Sequence, residues 1–116
     1  MDSNQNIITD FPFLLVRDDK CWRQILCKDI LFFEAAGKYT KIILAGPGRK
    51  YLTRSSLTSI VRELPEYYFC RVHRAYVVGL LHVNYIGDDI VNIGLTDIPI
   101  SKVYEKQLYK RFIWLV

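Results

Sequence analysis

The chain has 116 residues, 51% hydrophobic and 24% charged, which gives it the length and balance of one globular domain and excludes an intrinsically disordered polypeptide. Its net charge of +4 is mild but unevenly placed, with four Lys/Arg against six Asp/Glu in residues 1–37 and twelve against six in residues 38–116. That gradient favours a polyanionic partner for the C-terminal two-thirds, although solubility alone also explains it.

Residues 1–10 are polar and acidic and read as a flexible N-terminal segment, leaving residues 11–116 as a single domain. They carry no basic n-region, and no apolar run in the chain reaches membrane-spanning length, so a cytoplasmic protein with no membrane partner is expected. Phe11–Arg17 and Ile30–Ala36 are short apolar strands, stopped by Asp18-Asp19 and by Gly37. Tyr39–Ala45 and Lys50–Thr53 flank the hairpin turn Gly46-Pro47-Gly48-Arg49. Next comes a helix over 55–64, because Leu57, Ile60, Val61 and Leu64 fall at i, i+3, i+4 and i+7, with Ser55 or Ser56 as cap and Pro65 as stop. Phe69–Val78, His82–Ile86 and Ile90–Gly94 read as further strands, with a tight turn at Gly87-Asp88-Asp89. Ser101 caps a last helix over 102–112, whose Tyr104, Leu108 and Phe112 oppose Lys102, Lys106 and Lys110, about 200° away at 100° per residue. Those lysines can track a phosphate backbone or form an ordinary solvated face. Strands this dense, with turns between them, predict a mainly β, antiparallel architecture.

Chemistry-bearing clusters are sparse. Cys21, Cys27 and Cys70 are an odd number at no framework spacing, which argues for free thiols in a reducing compartment. Cys70-x-x-His73 lacks the second close ligand pair of a structural zinc site, so no metal is expected. With His73 and His82 the only imidazoles, no serine in a nucleophile elbow and no glycine loop opening a helix, neither an enzyme nor a cofactor is expected. The densest stretch is Phe69–Val78. If it were extended, Arg71 and Arg74 would point to opposite faces. Guanidinium forks on a stiff strand suit phosphate oxygens or a guanine edge, though two solvated arginines and a histidine paired to backbone are the simpler account of this decapeptide alone.

Four separated motifs, in order, carry a resemblance: Phe33-Glu34-Ala35-Ala36-Gly37-Lys38-Tyr39-Thr40, Tyr51-Leu52-Thr53-Arg54-Ser55-Ser56-Leu57, Phe69–Val78, and Ile98-Pro99-Ile100-Ser101-Lys102. Over roughly residues 11–112 the chain resembles the LytTR-type DNA-binding domains, output modules of bacterial response regulators and other transcription regulators. The resemblance implies an elongated stack of short antiparallel sheets with one helix on its side. It also implies sequence-specific duplex-DNA binding in which loops, not a recognition helix, enter successive major grooves at repeated half-sites. The implied partners are duplex DNA and a second copy on the DNA as a homodimer. Since only about ten residues precede the first strand, the chain is read either as an output domain whose receiver domain lies in a longer parent chain or as a stand-alone regulator.

Carried over by residue, the first reading loop is Lys38-Tyr39-Thr40-Lys41, the second centres on His73-Arg74, and the third on Ser101-Lys102. Arg74 suits guanine O6 and N7, Tyr39 and Thr40 offer hydroxyls, and Lys38, Lys41 and Lys102 supply charge. Arg54, Arg71 and Lys106 are expected as phosphate contacts, and His73 as an internal brace for the Arg74 loop. Ala75 stands where the family commonly has serine, and Gly79 where it has asparagine, so 79–82 is expected to be set differently. Two other readings fit parts of the chain: a single-stranded nucleic-acid binder on a small β-barrel, from the eight Tyr, six Phe and two Trp, and a protein-interaction module using Phe112-Ile113-Trp114-Leu115-Val116.

Overall fold

The fold is organised by neighbouring apolar residues that are buried on opposite sides of one sheet. In β3 (Ile30–Ala36) both Phe32 and Phe33 are buried, and successive strand residues point opposite ways. Both faces of β3 must therefore be covered, which is why its sequence is a continuous apolar run rather than an alternation. The computed structural model, which describes residues 12–116, provides that cover. Residues 1–10, expected to be flexible, and Phe11 at the start of the expected first strand lie outside the described residues.

The central sheet has five antiparallel strands in the order β5-β4-β3-β7-β6, comprising β3, β4 (Tyr39–Leu44), β5 (Lys50–Thr53), β6 (Phe69–His73) and β7 (Tyr76–Gly79). One face meets the hairpin of β1 (Phe13–Asp18) and β2 (Cys21–Leu26) together with helix α1 (Leu57–Glu63). That core gathers Val16, Ile25, Phe33, Ile42, Leu57 and Val77. The opposite face meets the three-stranded meander β8 (Val83–Ile86), β9 (Ile90–Ile93), β10 (Thr96–Pro99) and helix α2 (Lys102–Tyr109), burying Phe32, Val72, Val78, Val91, Ile98 and Leu108. The molecule is mainly β and layered as expected, and it measures 47 × 45 × 27 Å, thin in one direction only.

Phe69–Val78 is not one strand. It folds back at Arg74-Ala75 into β6 and β7, with a register shift between Arg71 and His73. The reason is pairing: β7 supplies the second edge of β3, setting Phe32 opposite Val78, Phe33 opposite Val77 and Glu34 opposite Tyr76. Arg71 and Arg74 thus do not flank a single strand. Arg74 stands at the tip of a hairpin and Arg71 lies below it.

Helix α1 follows its sequence signal, whereas α2 stops at Tyr109, short of the expected Phe112, and Ser101 at its start makes no side-chain capping bond. Ser56 caps α1, its Oγ accepting the Ser59 N–H at 3.1 Å, and α2 buries Leu108 while exposing Lys102, Lys106 and Lys110. Two strands lack such signals. The first four residues of β2 are exposed, so its alternation is weak, and β10 includes Pro99, tolerated because β10 is an edge strand.

Candidate nucleic-acid interface

Strand register places the predicted segments along one end of the central sheet. Thr40 pairs with both Ala35 and Thr53, so the β3–β4 turn at Gly37-Lys38 and the β5 exit at Arg54 share that end. Tyr76 pairs with Glu34, and the Ala35 N–H donates to the Ala75 carbonyl at 2.8 Å, which brings the Arg74-Ala75 turn alongside. The Ser101 N–H donates to the Val72 carbonyl at 2.8 Å and so ties the start of α2 to the top of β6. In strand order the row runs Arg54, Lys38, Arg74, Lys102. The β3–β4 and β6–β7 turns are two strand spacings apart, roughly 10 Å. Helix α2 then descends beside β6, because Arg111 at its far end donates to the Glu66 carbonyl ahead of that strand. Lys106 therefore steps away from the row by about 6 Å, the rise of four helical residues, and Lys110 follows just past the helix end.

Local chemistry fixes the tips. Gly37, at φ +64°, makes the left-handed turn that presents Lys38. Lys38, Tyr39, Arg54, Arg74, Lys102 and Lys106 are exposed, and none of their side chains has a hydrogen bond or ion pair with another described residue. Ser101 is half-buried and makes no side-chain capping bond, which leaves its hydroxyl available. His73 is internal, as expected: its Nδ1 accepts the Ala75 N–H at 3.1 Å and its ring meets Tyr76 edge-on at 5.7 Å.

Three residues sit differently from the expectation. Thr40 is 1% exposed and its hydroxyl donates to the Ser55 carbonyl at 2.8 Å, so it joins β4 to the segment ahead of α1 and its hydroxyl is turned inward. Lys41 lies on the body of β4, half-buried and opposite Glu34, rather than in the turn. Arg71 is not a free phosphate contact. Its Nη2 donates to the Arg74 carbonyl at 2.5 Å, its Nη1 donates to Thr58 Oγ1 at 3.2 Å, and its Cζ lies 5.8 Å from the Tyr104 ring centre. Thr58 and Tyr104 are thus contact partners of Arg71 that the sequence does not single out, and no local pattern marks them.

Behind the row, Lys41, Glu34, Tyr76 and His73 are successive cross-strand neighbours. The Tyr76 hydroxyl donates to Glu34 Oε2 at 3.2 Å. Burial, and then the Glu34 carboxylate beside it, push the Tyr76 phenol above its ordinary range, so it stays a donor. The only carboxylate in that neighbour series is thereby engaged inward, and the exposed tips are cationic. Among the described residues no three His, Cys, Asp or Glu side chains gather as a metal site would need. The central sheet is open rather than closed into a barrel, with β5 and β6 as its ends; Phe32, Phe33 and Phe69 are core residues, while Phe13, Trp22, Tyr39, Tyr67, Tyr85 and Trp114 are exposed.

A model of the LytTr DNA-binding domain family matches residues 20–113. The chain belongs to the LytTR family. A solved LytTr DNA-binding domain, from a protein of Bacillus cereus classed as a methyl-accepting/DNA response regulator, shares the fold with a TM-score of 0.73 at 20% identity, over 85% of this chain and 94% of that one. LytTR domains are DNA-binding modules of regulators rather than a catalytic family, and this one binds DNA in that sense. Among its described residues no helix is long and apolar enough to cross a membrane.

Proposed function

We propose that this LytTR domain reads duplex DNA in a sequence-specific way for a bacterial transcription regulator, laying the row of turns along one face of the double helix. The observation that carries the reading is the alignment of Arg54, Lys38, Arg74 and Lys102 at one end of the sheet, with their cationic groups exposed and unpaired among the described residues. Arg74, on a hairpin tip braced by His73, enters the major groove and grips guanine O6 and N7 with two parallel bonds. Lys38 and Tyr39 reach bases or phosphates from the neighbouring turn, while Arg54, Ser101, Lys102 and Lys106 position the domain on the backbone. Lys41 adds charge from behind the turn. Affinity then comes mainly from phosphate neutralisation and specificity from the two turns. Two copies bind side by side on repeated half-sites in the cytoplasm, with a receiver domain of a longer parent chain supplying the signal and no reaction catalysed.

In vitro selection from a random duplex pool tests this, with the bound fraction followed at low and moderate salt. Enrichment of two similar half-sites about one or two helical turns apart is the expected result. Salt-sensitive binding without enrichment would reduce the row to a non-specific basic surface, and competition by single strands as strong as by duplex would overturn the reading.

A further inference from the structure

Arg71 is half-buried, with its head turned inward, which is unusual for an arginine beside a cationic edge. Its guanidinium reaches three elements at once: the carbonyl of Arg74 in the β6–β7 turn, the Thr58 hydroxyl in α1 and the Tyr104 ring in α2. Its Nε is buried and has no hydrogen-bond partner among the described residues. An unpaired buried donor is unfavourable, so the inward pose is held by the other contacts rather than by the strand. A side chain recruited only for its charge would turn its head to solvent. The carbonyl it grips belongs to Arg74 itself, and holding that peptide plane restricts the direction in which the Arg74 side chain leaves the turn. The ring it stacks on sits two residues after Lys102, at the start of α2.

We infer that Arg71 is a positioning residue that locks the Arg74 turn to the start of α2, so that the second and third reading segments act as one rigid unit. A guanidinium performs this because its planar fork serves two acceptors while its face lies on an aromatic ring. A lysine ammonium keeps the charge but cannot reproduce that geometry. The inference rests on the proposed reading insofar as it predicts effects on base discrimination, while the lock itself is a property of the free domain.

The test uses the full chain and the duplex recovered by selection, compared with a scrambled duplex. Arg71→Lys is expected to lower the ratio of their affinities about tenfold, in the range of one bidentate base contact, with an unchanged salt slope. In an Arg74→Ala background the same substitution should cost no further discrimination. Thr58→Val, which removes one anchor from an exposed site and leaves Arg71 intact, should reproduce part of the loss. In the free domain, Arg71→Lys should shift the backbone amide resonances of both 73–76 and 101–104. Retained discrimination in Arg71→Lys would overturn the inference, since charge alone would then suffice. Amide shifts confined to the immediate neighbours of residue 71 would overturn it as well. If Arg74→Ala itself leaves discrimination intact, the base-reading proposal fails separately, and the amide shifts still decide the lock.

Discussion

Gly79 runs so close to Ile30 that a Cβ placed on it would stand 2.4 Å from the Ile30 carbonyl oxygen and 3.2 Å from that of Leu31. Both obstacles are backbone, which cannot swing aside as a side-chain tip can. The φ of Gly79 is −81°, so glycine is needed here for space and not for a left-handed turn. The close approach seats the end of β7 on the start of β3, and the segment after it is held by the Leu80 N–H on the Tyr68 carbonyl at 2.8 Å and by His82 Nε2 against the Lys28 carbonyl at 2.6 Å. Gly79→Ala should therefore destabilise the fold by about 1–3 kcal/mol, the range for forcing atoms into a filled site. Gly79→Asn, which installs the residue common in the family, should cost at least as much. Urea unfolding of the two variants checks this, and a neutral or stabilising asparagine would show that the backbone yields.

Arg74→Ala should lower the preference for the selected duplex over a scrambled one by about 1–3 kcal/mol. Competition binding at one fixed salt concentration measures the difference. If both duplexes lose affinity in parallel, Arg74 contacts the backbone and reads no base.

The motifs made legible which segments meet at one end of the sheet, and the spacing of Leu57, Ile60, Val61 and Leu64 made α1 legible. The fold-back at Arg74-Ala75 was not visible locally, because neither residue supplies turn chemistry of the Gly, Asn or Pro kind. Thr40 was readable in principle: a period of two from Ile42 and Leu44 puts it on the buried face, and only its polarity argued for the surface. The role of Arg71 was out of reach because it is defined by Thr58 and Tyr104, which lie 13 residues before it and in another element. Motifs thus name which residues meet at an edge, while long-range packing decides which of them face outward.

Thr40→Val separates stability from binding at one position. The change keeps the shape but removes the hydroxyl that donates to the Ser55 carbonyl, at an expected cost of about 1 kcal/mol in unfolding free energy. Discrimination between the selected and scrambled duplexes should be unchanged at a temperature where the variant is folded. A selective loss of the selected duplex would return Thr40 to the reading surface.

Lys106 lies one helical turn behind Lys102 on the exposed face of α2. Lys106→Ala should weaken binding to every duplex by a similar factor and reduce the slope of log affinity against log salt by roughly one unit. Titrations at several salt concentrations measure both quantities. An unchanged slope would leave Lys106 as part of an ordinary solvated face.

Alkaline pH should destabilise the domain through its buried thiols. Cys27 is 2% exposed, and burial pushes its thiol up from the ordinary 9.0 to about 11. Cys70 is shifted in the same direction, mainly by burial and partly offset by Arg111. Because the unfolded chain loses these protons first, the thiols contribute their full stability below pH 9.0, and the contribution is lost as the pH climbs towards about 11. For Cys27 alone the loss amounts to roughly 3 kcal/mol. Tyr76 and Tyr109 have phenols raised chiefly by burial and add to the same trend above their ordinary 10.0. The urea midpoint should fall steeply across this window, and Cys27→Ala, though less stable at neutral pH, should show a shallower fall. An equal slope in the variant would mean that the Cys27 thiolate is tolerated in the folded state.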